Sequence, residues 1–233
     1  IVAAMRLASA LLVYLIRNRT EALPKAIFSR ETLTAGLRYV FQKRIILGII
    51  SLDLFAVLFG GAVALLPVYA NDILKVGASG LGILRAATAL GAALTSIALA
   101  YAPPLKRAGS TMLGCVVIFG IATILFGISK NFYLSLFFLF VLGAADMISV
   151  IIRGVLVQMK TPHEMRGRVS AVNLVFIGAS NELGEFESGL TAAWFGTVPA
   201  VVIGGIGTLI VAGLWNRFFP EIRSVKKLEE AMI

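Results

Sequence analysis

Residues 178–189 read GASNELGEFESG, so Glu182, Glu185 and Glu187 crowd into six positions between two apolar stretches. Asp53, Arg85, Asp146 and Arg153 stand inside other apolar runs of the same chain. Carboxylates placed in this way can line a polar cavity, meet arginine partners, or take up a proton in one state and lose it in another. Which of these chemistries is open to them depends on the medium around them, and therefore on the elements that hold them.

That medium is set by composition. Apolar residues make up 59% of the chain and charged residues 14%, where soluble domains carry roughly 25% charged residues. The mean hydropathy is +0.94. This is the composition of an integral membrane protein. A bilayer core takes about 20 helical residues at about 1.5 Å each, and six runs are long enough to be read as spans: 45–69, 81–101, 111–129, 132–157, 169–195 and 198–215. A seventh apolar run, 1–16, reads as the tail of a span whose beginning is missing, because the chain starts without Met or a basic leader. The runs are continuous and rich in Ala, Leu and Gly, unlike the alternating strands of a barrel, so the expected fold is all-α.

The net charge of +9 follows from topology. Seven Lys and Arg residues fall in 17–44, two at Lys106 and Arg107, three in 160–168 and four from Arg217 onward, whereas the opposite side has only Lys75 and Lys130. The basic side is read as cytoplasmic, and no nucleic-acid partner is expected. Short connections at 71–79, 103–110, 130–131, 160–168 and 196–197 make neighbouring helices antiparallel. The expected organisation is a cytoplasmic linker at 17–44, a six-helix bundle at 45–216 built from two three-helix repeats (45–129 and 132–216), and a cytoplasmic tail at 217–233.

Within the linker, 29–44 (SRETLTAGLRYVFQKR) spaces Leu33, Leu37, Val40 and Phe41 on one helical face and predicts an amphipathic helix lying flat on the bilayer surface. Glycines inside spans let helix backbones approach. Gly82 with Ala86, then Ala87, Gly91 and Thr95, give such spacing, and Gly204, Gly205 and Gly207 crowd the last span.

Counting inward places the buried charges. Asp146 is 14 residues from Phe132 and Glu182 is 13 from Val169, each about 20 Å deep and therefore near mid-membrane. Arg153, seven residues beyond Asp146, shares its helix face but lies about 10 Å nearer the cytoplasm, too far for a direct bridge. Gly178, Glu182, Glu185 and Gly189 form one helical stripe, and Asn181, Gly184 and Ser188 an adjoining one. Such a face should line a cavity or meet arginine. The competing reading makes 179–189 an outer loop, but it leaves 169–179 too short to span. Asp53 and Arg85 lie close enough to a surface that a structural ion pair competes with a place on a substrate path.

Other chemistry finds little material. Cys115 has no disulfide partner, His163 sits in a loop beside Pro162, and no G-x-G-D or H-E-x-x-H occurs. An intramembrane enzyme is therefore disfavoured, and no cofactor or metal is expected. A non-transporting sensor or scaffold is the other rival.

The segments TPHEMRGRVSAVN (161–173), GASNELGEFESG (178–189) and FGGAVALLPVYANDIL (59–74) resemble the major facilitator superfamily over nearly the whole chain. IIRGVLVQMKTPHEMRGRVSAVN (151–173) is closest to the bacterial exporter branch that includes the enterobactin exporter. The resemblance implies the second half of a twelve-helix transporter, helices seven to twelve, with an absent first half as structural partner. It also implies a small-molecule substrate bound near mid-membrane and efflux across the bacterial inner membrane driven by the proton gradient. The superfamily's acidic loop signature has no counterpart in APPLKRAGS (102–110); the nearest remnant is Arg166, Gly167 and Arg168 in MRGR. The residues assigned to the substrate or proton pathway are Asp146, Arg153, Glu182, Glu185, Asn181, Asp53 and Arg85. In one form of this reading, Glu182 or Asp146 carries the proton and Arg153 is its charge partner; the competing account makes these residues a structural polar network between helices ten and eleven.

Overall fold

The computed structural model describes residues 30–224, apart from 104. The expected span tail at 1–16, the first part of the linker at 17–29 and the end of the tail at 225–233 lie outside the described residues. The rest is helical: α1 (Arg30–Gln42), α2 (Arg44–Phe59), α3 (Gly77–Tyr101), α4 (Ala108–Ile128), α5 (Phe132–Lys160), α6 (Arg166–Phe195), α7 (Thr197–Phe218) and the short α8 (Pro220–Ser224), joined by short turns.

Among the described residues, α3, α4, α5 and α7 are the helices long and apolar enough to cross a membrane. Helix α6 has the length, at 30 residues, but its glutamates and asparagines make it less apolar. Residues 179–189 lie wholly within it, so the outer-loop reading fails.

The expected span at 45–69 is interrupted. Helix α2 stops at Phe59 after 16 residues, and the chain continues through a tight turn at Gly61–Val63, a short helical turn at Leu66–Val68 and a widened turn at Tyr69–Ile73. Gly60 and Gly61 weaken the helix there, and Pro67 cannot donate to the backbone ladder. Small residues of two neighbours fill the break. A Cβ on Gly184 would stand 3.1 Å from the carbonyl oxygens of Val57 and Leu58, and Gly204 lies against the carbonyl of Phe59. The next span starts earlier than expected, at Gly77, where positive φ at Lys75 (53°) and Gly77 (64°) turns the chain back.

Helix α3 packs chiefly on α5, α4 on both α5 and α7, and α2 on α6 and α7. Glycine sets the closeness of these crossings. Gly91 meets the backbone of Phe140 and Gly143 that of Thr88, joining α3 to α5, while Gly120 and Gly205 face each other across α4 and α7. Gly82, expected at a contact, instead faces open space. Helix α5 is capped by Asn131, whose side chain accepts from the backbone N–H of Tyr133 (2.9 Å) and Leu134 (3.2 Å).

Two apolar clusters result. One, around Ile46, Ile49, Leu52, Met112, Ile152 and Leu156, lies toward the α1 end. The other, around Leu66, Tyr69, Leu84, Phe126 and Leu139, fills the opposite end. At the α1 end, Arg44 donates to the carbonyl of Phe218 (2.9 Å) and pairs with Glu221 (3.4 Å). The Trp215 indole donates to the Gly48 carbonyl and the Ser51 hydroxyl, both at 3.1 Å. Helix α1 does not rest its whole apolar face on lipid: Val40 is fully buried in the protein cluster with Val169 and Val172 of α6, while Leu37 and Phe41 stay exposed. With Gly36 of α1 seated against the Arg168 carbonyl, α6 takes up the surface that lipid was expected to cover.

Candidate functional site

Four faces converge on an open cleft of ≈ 420 Å³. Helix α3 supplies Arg85, Thr88, Ala89 and Ala92, which follow i, i+3, i+4, i+7 spacing and therefore share one face. The broken segment after α2 supplies Val63 and Ala64, α5 supplies Gly143 and Asp146, and α6 supplies Glu185. The volume lies in the range of small-molecule sites. Small side chains form most of the wall, and one guanidinium and two carboxylates provide its charge. Among the described residues, none of Arg85, Asp146 and Glu185 has an ion-pair or hydrogen-bond partner.

Asp146 also borders a second space. A narrow void of ≈ 10 Å³ lies between α2, α4 and α5, lined by Asp53, Ala56, Val57, Cys115, Val116, Phe119, Ala145, Asp146 and Ser149. That is room for about one water molecule. Asp53, at the far side of this void, forms an ion pair with Arg153, the two side chains being 12% and 6% exposed.

This arrangement sorts the residues singled out from the sequence. Asp146, Arg85 and Glu185 meet at the cleft. Arg153 pairs with Asp53 and with neither Asp146 nor Glu182. Counting along one helix could show that Arg153 is too far from Asp146, but could not show that α2 brings a carboxylate to it. Asp53 is correspondingly enclosed rather than snorkelling to a surface. On α6 the expected polar face divides: Ser180, Gly184 and Ser188 are buried, whereas Asn181, Glu182 and Glu185 are exposed, and Gly178 and Gly189 have open space before them. Glu182 is absent from the lining of both cavities. Glu187 accepts from the Thr191 hydroxyl at 2.9 Å.

In the loop motif, Arg166 Nε donates to the carbonyls of Gln158 (3.1 Å) and Thr161 (3.2 Å), tying the start of α6 to the end of α5. Arg168 is exposed with its guanidinium 3.6 Å from the Met165 sulfur, and Gly167 faces open space.

The residues that sequence reasoning missed are Thr88, Ser149 and the pair Val63 and Ala64. Thr88 was detectable, since it shares a helical face with Arg85. The other three depend on how α2 ends and where α5 lies against it.

The chain is similar to the enterobactin exporter EntS of Escherichia coli O1:K1 / APEC, with 26% identity over 197 residues, covering 84% of this chain and 47% of the exporter. It is similar to EntS of Escherichia coli strain SMS-3-5 / SECEC at the same 26% over 202 residues, covering 87% and 48% respectively. The chain thus spans about half the length of the curated relatives it matches. No solved structure matches it. The family described as transmembrane secretion effector matches residues 2–231. The all-α bundle, its membrane-spanning helices and this nearly complete match agree: the chain belongs to the transmembrane secretion effector family, an exporter branch of the major facilitator superfamily.

Proposed function

We propose that the protein is a secondary exporter in which this chain forms one six-helix half, carrying a small molecule out of the cell by alternating access in exchange for protons. The observation that carries this reading is the cleft: Arg85, Asp146 and Glu185 converge on it from three helices, and none has an ion-pair partner among the described residues. Unpaired charge at this depth is costly unless water or a ligand reaches it. The broken segment after α2 supports the same reading, because interrupted helices in transporters line substrate sites and bend during the cycle.

Asp146 serves as the proton carrier, with Glu185 rather than Glu182 as the second carboxylate of the pathway. The basic end, with Lys106, Arg107, Arg166 and Arg168, faces the cytoplasm together with the C-terminus, and the membrane is the bacterial inner membrane. A second six-helix half closes the cleft, and the segments 45–129 and 132–216 move as the two repeats. The named activity of the relatives makes a siderophore or a comparable metabolite the first substrate to try.

The test is uptake of a fluorescent or radiolabelled substrate into everted membrane vesicles from cells expressing the protein. Uptake should follow an imposed pH gradient, collapse with a protonophore, and be lost in Asp146→Asn at unchanged protein level. Gradient-independent uptake, or full activity of Asp146→Asn, removes the proton-coupled reading.

A further inference from the structure

A narrow void has both Asp53 and Asp146 on its wall. It has room for about one water molecule at ≈ 10 Å³, and its wall includes Asp53, Asp146 and Ser149, whose carboxyl and hydroxyl groups are of the kind that hold an internal water. Asp146 borders the open cleft on one side and this void on the other, whereas the Asp53–Arg153 pair beyond it is almost sealed. We propose that this void is a water site that relays a proton from Asp146 to Asp53, and that protonation of Asp53 releases Arg153 and unlatches α2 from α5.

The step balances. The neutral Asp146 carboxyl gives its proton to the water, which passes one of its own protons to the Asp53 carboxylate. Water is regenerated, Asp146 becomes the carboxylate and Asp53 the neutral acid. Arg153 then faces a neutral partner in a nearly sealed site, a buried charge without an opposite charge beside it, which is strongly unfavourable. The latch matters mechanically because α2 packs mainly on α6 and α7 and touches α5 only lightly. The ion pair is therefore the principal polar tie between α2 and α5. The charged and titratable groups facing Asp146 are Asp53 from α2, Arg85 from α3, Cys115 from α4 and Glu185 from α6, with Arg153 further along its own helix. Arg85 and Glu185 stand on the cleft side with no ion-pair partner among the described residues, so they set the field in which Asp146 loads its proton. Asp53 is the acceptor on the void side.

Cys115 is the chain's single cysteine. It is 4% exposed and lines the same void, so its thiol reports whether the latch is closed. This inference rests on proton-coupled transport as proposed above, but its readout does not require transport. Membranes containing the whole protein are treated with N-ethylmaleimide over a range of pH, and Cys115 alkylation is followed by mass spectrometry. Each rate is divided by that of Asp146→Asn at the same pH to cancel the thiol's own titration. The wild-type ratio should rise as pH falls. Asp53→Asn should react on the order of a hundredfold faster than wild type at neutral pH, since it leaves Arg153 unpaired, with a ratio that no longer changes with pH. If Asp53→Asn fails to accumulate, the neutral pair Asp53→Asn with Arg153→Gln serves in its place and should give the same flat profile. A wild-type ratio that stays level across pH, or a neutral-pair variant that still responds to pH through Asp146, overturns the latch. Efflux in the same vesicles separates the two readings: a level ratio with gradient-driven efflux intact removes the relay alone.

Discussion

Gly204 of α7 lies directly against the carbonyl oxygen of Phe59, the last residue of α2, leaving no room for a Cβ. One residue-turn along, the Thr208 hydroxyl lies 3.2 Å from the Ala56 carbonyl and 3.1 Å from that of Gly204. The end of α2 is thus held by α7, and the break that shapes the cleft depends on this contact.

Gly204→Val should therefore destabilise the bundle by about 1–3 kcal/mol through overpacking against a backbone that cannot yield. Gly82→Ala, which points into open space, should be without effect or slightly favourable. Thermal unfolding of the detergent-purified protein, followed by size-exclusion chromatography, compares the two; equal melting temperatures would refute the assignment of Gly204 as a close-contact residue.

Tyr69 is fully buried, its ring 4.6 Å from that of Phe126 and its hydroxyl donating to the Gly127 carbonyl at 2.6 Å. Tyr69→Phe keeps the ring and removes that hydrogen bond, at an expected cost of about 1 kcal/mol. Tyr69→Ala also loses the ring contacts and should cost about 3–5 kcal/mol. The same melting assay should rank wild type, Phe and Ala in that order.

The Asp53–Arg153 pair makes a non-additive prediction. Either Asp53→Asn or Arg153→Met alone should destabilise by about 3–5 kcal/mol, because each leaves an opposite charge buried and unpaired. The double variant should be markedly less destabilised than the sum of the two. Additive losses in a double-mutant cycle would mean that the two side chains do not interact.

Within the cleft, Glu185→Gln and Arg85→Gln should each raise the transport KM or lower its maximum rate by about tenfold, the equivalent of about 1.4 kcal/mol per lost charged contact. Glu187→Gln, whose carboxylate is engaged by Thr191 on its own helix, should stay within about twofold of wild type, inside the usual range for a neutral surface change. Vesicle transport assays at matched protein levels decide; a stronger effect at Glu187 than at Glu185 would refute the lining assigned to the cleft.

Much of this protein could be read without coordinates, and the reason is the solvent. Hydrocarbon demands long apolar helices with their backbones satisfied internally, so composition and run length predicted an all-α membrane bundle. Helical spacing also placed Gly204 and Gly205 in the last span's contacts and put Arg153 too far from Asp146 to pair with it. Three properties were decided only by the tertiary structure. The break at Gly60 needs neighbours that accept bare backbone, supplied by Gly184 and Gly204 from residues far along the chain. Arg153 finds its carboxylate on α2, a partner one hundred residues earlier in sequence. Glu185 rather than Glu182 reaches the cleft because α6 turns its Gly184 and Ser188 stripe onto the end of α2 and the turn that follows it. Periodicity along one helix defines its faces, but which neighbour each face meets depends on how separate helices pack.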